Sequence, residues 1–177
     1  LTIGNFDGVH RGHQALLQQL VQGARSRQLQ SCVLTFEPHP REFFSPSDAP
    51  PRIQNIRDKL IALKNHDIDQ VVIAEFNQAF SQLSPDEFVK KVLIEGLNAK
   101  WLLIGDDFCY GAKRAGNFKS LVNAGKKFGF EDKSIYVIIG INFAIGFILP
   151  GIDWRAHLGG LISGALVSLF LLSPARR

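Results

Sequence analysis

Two histidines set the first chemical question. In "GNFDGVHRGHQ", residues 4–14, His10 and His13 flank Gly12, and Gly4 and Gly8 thin the chain before them. Glycines let backbone approach a ligand closely. A short apolar run, "LTIG", precedes the stretch and a helical periodicity follows it. The histidines therefore fall between a strand end and a helix N-terminus, where unpaired N–H groups and positive partial charge suit phosphate. Two imidazoles there can donate hydrogen bonds to the charge that builds on a phosphoryl group during transfer. A lone loop histidine is more often structural, but this strand–loop–helix setting, with Asp7 beside it, favours the phosphate reading.

Positioning such a pair takes a scaffold, and the pattern supplies one. Residues 1–4, 31–36, 70–76 and 100–105 are short apolar runs and read as strands. Between them lie helical periodicities. Segment 13–28 has Leu16, Leu17, Leu20, Val21 and Ala24 on one face, and 55–66 has Ile56, Leu60, Ile61 and Leu63. Segment 84–97 opens with a capping box, Ser84 and Glu87, with Pro85 at the first helical position. Segment 117–129 carries Phe118, Leu121, Val122 and Ala124, with Lys126 and Lys127 in its last turn and Gly129 as a cap. Alternating strands and helices predict an α/β fold with a parallel sheet. Ligands in such sheets sit beyond the carboxyl ends of the strands.

Composition bounds the rest. Hydrophobic residues make up 46% and charged residues 20%, which excludes global disorder. Residues 1–134 hold 17 Lys/Arg against 15 Asp/Glu, and 135–177 hold three Arg against one Asp. An excess this small gives no reason to expect nucleic acid as a partner. Cys32 and Cys109 have no metal-ligand spacing and read as packing residues in a reducing compartment. The chain starts at Leu1 and contains no Met, and is read as a fragment lacking its N-terminus; no signal peptide is visible.

Two further segments follow strands. "TFEPHP" (35–40) comes after the second and "GDDFCYGAKRAG" (105–116) after the fourth. Together with residues 4–14 they resemble the FMN adenylyltransferase domain of bacterial FAD synthetases, within the nucleotidylyltransferase superfamily, over residues 1–131. The resemblance implies a Rossmann-like parallel sheet and FAD synthesis by AMP transfer from ATP to FMN, with Mg²⁺ steadying the polyphosphate and pyrophosphate leaving. It implies an ATP side made by Gly4, Phe6, Asp7, Gly8, His10, His13 and Arg114, with His10, His13 and Asp107 as the catalytic group. Pro38, His39, Pro40, Phe108 and Tyr110 would form the flavin side, although His39 between two prolines equally suits a rigid turn. The family's final strand and its phosphate-contacting Ser-Ser-Thr-x-x-Arg segment have no counterpart in 131–177, so the sheet is expected to be incomplete and FAD formation weak or absent. The 1–131 domain is expected in the cytoplasm.

After residue 134 the pattern changes. Residues 135–149 carry no charge, and 156–173 are uncharged but for His157. As helices they would span roughly 22 and 27 Å against a bilayer core of roughly 30 Å. Ala156, Gly160, Gly164 and Ser168 recur every four residues, a small-residue ridge for close helix packing. Flanking Lys126, Lys127, Lys133, Arg176 and Arg177 suit a hairpin with both ends cytoplasmic. The expectation is a two-helix apolar hairpin at 135–173, associated with the cell membrane. "NFAIGFILPGIDWRAHLGGLISGALVSLF" resembles the last two transmembrane helices of rhomboid intramembrane proteases, with His157, Gly160 and Gly164 matching their histidine motif. No G-x-S-G nucleophile motif accompanies it. The alternative reading is therefore a rhomboid-type fragment without its nucleophile, or an inactive chimeric product.

Overall fold

The computed structural model describes residues 1–105 and 108–128, which belong to a compact unit bounded by Leu1 and Ser134. Its centre is a parallel three-stranded sheet in the order β1 (Thr2–Ile3), β2 (Cys32–Glu37), β3 (Gln70–Glu75). The register pairs Thr2 with Val33 and Ile3 with Leu34, and β2 pairs with β3 from Cys32–Gln70 through Glu37–Glu75. The parallel α/β sheet expected from sequence is present.

Helix α1 (Arg11–Ser26) joins β1 to β2 and buries Leu17, Leu20, Val21 and Ala24, the expected stripe save half-buried Leu16. Helices α2 (Pro40–Phe44) and α3 (Ile56–Lys64) lie between β2 and β3. Fully buried Leu17, Leu20, Val33, Leu34, Leu63, Val89 and Leu93 come from α1, β2, α3 and the segment after β3, and make one core. Each such side chain contributes roughly 1.5–3 kcal/mol on burial.

After β3 come α4 (Gln78–Ser81) and α5 (Pro85–Glu87). The capping box read from sequence is formed: Ser84 Oγ accepts from the Glu87 N–H, and the Glu87 carboxylate accepts from the Ser84 N–H. The helix then continues in π form over Phe88–Gly96. Beyond it a hairpin of β4 (Cys109–Tyr110) and β5 (Gly116–Asn117) leads into α6 (Phe118–Phe128), with Lys126 and Lys127 in its last turn as expected.

Three expectations need correction. Residues 100–105 do not form a ladder. The Leu1 amine donates to the Trp101 carbonyl and Leu103 N–H donates to the Leu1 carbonyl, each at 2.9 Å, but two-residue β1 offers little more to pair with. The β4–β5 hairpin was absent from the sequence reading, because two-residue strands carry no periodicity. On α3 the buried pair is Lys59 and Leu63, while Ile61 is 49% exposed. Asp107, His157, Gly160, Gly164, the cap at Gly129 and the 135–173 hairpin lie outside the described residues. Among the described residues no helix is long and apolar enough to cross a membrane.

Candidate active site

The loop between β1 and α1 is tightly built. Gly4 N–H donates to the Leu34 carbonyl, and Thr35 Oγ1 donates to the Asn5 carbonyl. The chain then turns through positive φ at Phe6 (49°), Gly8 (77°) and Val9 (29°). For Phe6 and Val9 this conformation is costly, and their burial compensates. At Gly8 a Cβ would also lie 3.1 Å from two Ile53 side-chain carbons, so a larger residue would be strained and crowded there.

The turn delivers His10 to the N-cap of α1. Its Nδ1 accepts from the His13 N–H at 3.2 Å. The neutral ring's proton is therefore on Nε2, where it can be donated to a ligand. His13 follows one turn later with its ring stacked on His10, centroids 3.7 Å apart and planes 14° from parallel. Phe6 supports the other side of His13 at 5.0 Å. Burial first, and then the adjacent His10, hold the His13 pKa down at about 4 against a weaker upward pull from Asp7. It is neutral at pH 7, and its Nδ1 is buried without a partner. Asn5 Oδ1 and Gln54 Oε1 are likewise buried and unpartnered.

Asp7 faces the protein instead of solvent. Its two oxygens accept from the Ile53 and Gln54 N–H groups at 2.9 Å each. Burial alone would raise its pKa; these two amides, helped by Lys59 and His39, more than reverse that. The residue just before, Arg52, fastens the loop after β2. Its guanidinium donates to both Glu37 oxygens, at 2.9 and 2.6 Å, and to both oxygens of Glu42. Glu42 in turn accepts from the His39 N–H, and hydrogen bonding to Arg52 holds its pKa at about 2. Three consecutive residues, Arg52–Gln54, thus tie both loops down. This strap is not visible in sequence, since its partners lie 10 to 47 residues away.

In that second loop His39 repeats the role of His10. It caps α2, its Nδ1 accepting from the Arg41 N–H at 3.1 Å, which leaves Nε2–H as the donor. Burial lowers its pKa, so it too is neutral at pH 7. The Glu37–Pro38 bond before it is cis, and Pro40 opens the helix.

This arrangement matches a known family. The FAD synthetase family matches residues 1–139. The chain belongs to the FAD synthetase family. It is 47% identical over 130 residues to a bifunctional riboflavin kinase/FMN adenylyltransferase of Haemophilus influenzae, covering 73% of this chain and 42% of that protein. It is 45% identical over 131 residues to the protein of the same name from Escherichia coli K12, covering 74% and 42%. The chain thus spans about two fifths of the length of these relatives. A crystal structure described as a macrolide-efflux protein from Streptococcus pneumoniae shares the fold, with a TM-score of 0.60 and 26% identity over 75% of this chain and 43% of that one. A rhomboid domain matches residues 109–174 and overlaps the FAD synthetase match over 109–139.

Within this FAD synthetase-family chain, the remaining expected residues fall into two groups. Phe108 stacks on Tyr110 at 5.6 Å, and Tyr110 meets Phe88 at 5.4 Å. From Phe88 the ring contacts run through Phe80 and Phe76 to Phe43, three residues after Pro40. An aromatic relay therefore joins Phe108 and Tyr110 to the loop of Pro38, His39 and Pro40. Sequence reading missed the phenylalanines that make it. Arg114 lies apart: it is exposed, at φ 56°, and among the described residues no hydrogen bond or ion pair links it to the first loop.

Proposed function

We propose that this chain forms FAD by transferring AMP from ATP to FMN. An FMN phosphate oxygen attacks the α-phosphorus of ATP, the bond from that phosphorus to its bridging oxygen breaks, and pyrophosphate leaves. The observation that carries this reading is the stacked imidazole pair at the N-terminus of α1. The attacking phosphate is already ionised, so orientation and charge stabilisation supply the catalysis. His10 donates from Nε2, since Nδ1 is committed to the cap. His13, kept neutral by burial, brings a second imidazole without setting one positive charge against another.

Gly4 and Gly8 shape the ATP side in this reading. Phe6 acts by holding His13, and Asp7 by anchoring the loop. Pro38, His39, Pro40, Phe108 and Tyr110 form the flavin side, the last two through the aromatic relay. Asp107 positions the reactants and Arg114 meets phosphate. Both Asp7 oxygens accept backbone amides, so Asp7 serves to hold the loop in this reading. Mg²⁺ belongs to the MgATP substrate.

Incubation with FMN and MgATP is expected to yield FAD and pyrophosphate. The yield should build slowly, since residues 131–177 contain no Ser-Ser-Thr-x-x-Arg segment. No FAD at saturating substrates would sink the reading.

A division into 1–131 and 135–173 goes with a second proposal for the latter stretch alone, favoured by the rhomboid match. It forms an apolar hairpin that associates with membrane and performs no proteolysis, His157 having no nucleophile motif to serve. Flotation of the whole chain with phospholipid vesicles tests this; a chain left in the aqueous fraction without detergent contradicts it.

A further inference from the structure

The hairpin of β4 and β5 holds one aromatic ring more firmly than two-residue strands alone would. Tyr110 is 6% exposed. The hairpin's turn is docked on the segment before α5, where Ala112 N–H donates to the Leu83 carbonyl at 2.7 Å and Gly111 lies against Pro85. Across the ladder Tyr110 pairs with Gly116, and its ring covers that glycine. A Cβ at 116 would sit 2.6 to 2.7 Å from three ring carbons. Close-packed interiors do not hold contacts that short, so any side chain at 116 must push the ring away.

A buried phenol needs a partner for its proton. Tyr110 Oη meets Ser120 Oγ at 3.2 Å. Ser120 Oγ donates to the Asn117 carbonyl at 2.9 Å and accepts from the Asn117 N–H at 2.9 Å. A serine hydroxyl has one proton to give, so Tyr110 is the donor to Ser120. Ser120 stands in the first turn of α6, where its own N–H donates to the Asn117 side chain. The Tyr110 ring is thereby fixed at two points, its face by Gly116 and its hydroxyl by α6. Its neighbour Phe108 is half-buried, 5.6 Å away and 15° from parallel. An offset pile of near-parallel rings extends readily to a third planar ring.

We propose that Gly116 and Ser120 are positioning residues. They set the plane of Tyr110, and through it Phe108, as the surface on which the isoalloxazine ring of the acceptor stacks. This rests on the AMP-transfer reading, which puts the flavin on this side of the site, and adds two residues that act through Tyr110. What is recognised here is a planar fused ring, so the acceptor's phosphate plays no part.

Gly116 has no left-handed φ, so Gly116→Ala disturbs the ring and not the backbone. Affinities of wild type and variants for FMN, riboflavin and ATP are measured by titration, and quenching of flavin fluorescence is read at saturation. In Gly116→Ala, FMN and riboflavin are expected to weaken alike, about 3- to 10-fold, with ATP unchanged and quenching partly lost. Ser120→Ala should act in the same direction with smaller size, and Ser120→Thr, which keeps the hydroxyl, should restore wild-type binding. If Gly116→Ala does not fold, the two serine variants carry the test. A purely structural role predicts lower thermal stability with flavin affinity and quenching unchanged, and that result overturns the proposal. Equal weakening of ATP and flavin overturns it too, as does the same flavin affinity in Ser120→Ala and Ser120→Thr. Unchanged flavin binding in variants of a protein that makes FAD would sink the positioning role alone. Weaker, less quenched flavin in variants of a protein that makes no FAD would sink the transfer reading alone.

Discussion

The loop after β1 and the loop after β2 each bring a histidine to a helix N-cap, yet they are secured by different chemistry. The first is held by backbone. Gly4 and Asn5 bond to β2, Asp7 accepts two amides, its histidines stack on each other, and His13 meets Phe6 at a tilt. The second is held by charge, with Arg52 engaging all four oxygens of Glu37 and Glu42. A loop fixed by backbone bonds, ring stacking and one carboxylate on amides keeps its imidazole donors free for a charged ligand. A loop fixed by an ion cluster spends its charges on itself and offers shape, aromatic surface and one imidazole N–H. That division suits a nucleotide polyphosphate on one side and a flavin ring on the other. Each loop can be loosened separately, which is how the contrast is tested.

The largest effect is expected at the first loop. His13→Ala should cut FAD formation about 100-fold or more through kcat, with FMN affinity little changed. Steady-state kinetics with each substrate varied checks this; a loss confined to the KM for FMN would break the contrast. Next is Arg52→Gln, which frees Glu37 and Glu42. The KM for FMN should rise about 10-fold, with a smaller rise for ATP. A larger effect on ATP than on FMN would show that the clamp serves the wrong side.

Asp7→Asn tests the join between the loops. One acceptor oxygen remains for two amides, and a cost of about 1–2 kcal/mol is expected in urea unfolding. Both substrates should weaken a few-fold, because the Ile53–Gln54 segment anchors the first loop while its neighbour Arg52 anchors the second. No change in unfolding midpoint would contradict the tie.

The smallest effect is in acid, where the two loops should weaken in different windows. The His13 pKa is lowered to about 4 from an ordinary 6.5, so the unfolded chain takes up this proton first. That contribution is complete above about pH 6.5 and is lost as pH falls towards 4. Glu42 is lowered to about 2 from 4.5, so its contribution is present above pH 4.5 and is lost as pH falls towards 2. Solvent screening keeps both changes modest. In a pH series of urea midpoints, His13→Ala should flatten the upper window and Arg52→Gln the lower one. Flattening in the other order would reverse the comparison.

The parts legible in sequence were those whose cause is local. Ser84, Pro85 and Glu87 announce a helix start because a cap is made within four residues. His10 and His13 announce a phosphate-type site because a strand end and a helix start bracket them. Lys59 is hidden in the sequence because a lysine in an apolar stripe is ordinarily exposed, and the spacing suits Ile61 for the core; only the packing of α3 decides between them. The Arg52 clamp and the relay from Phe108 to Phe43 are tertiary, joining elements that no periodicity connects. The Trp101–Leu103 segment has the composition of a strand but only a short neighbour to pair with.

The stacked imidazole pair is proposed to drive AMP transfer to FMN. ATP labelled in its α-phosphate, mixed with FMN and Mg²⁺, should pass the label into FAD with wild-type protein, and His13→Ala should pass about a hundredth of it or less in the same time. Equal labelling by both proteins, or none by wild type under conditions where both substrates are bound, would contradict the account.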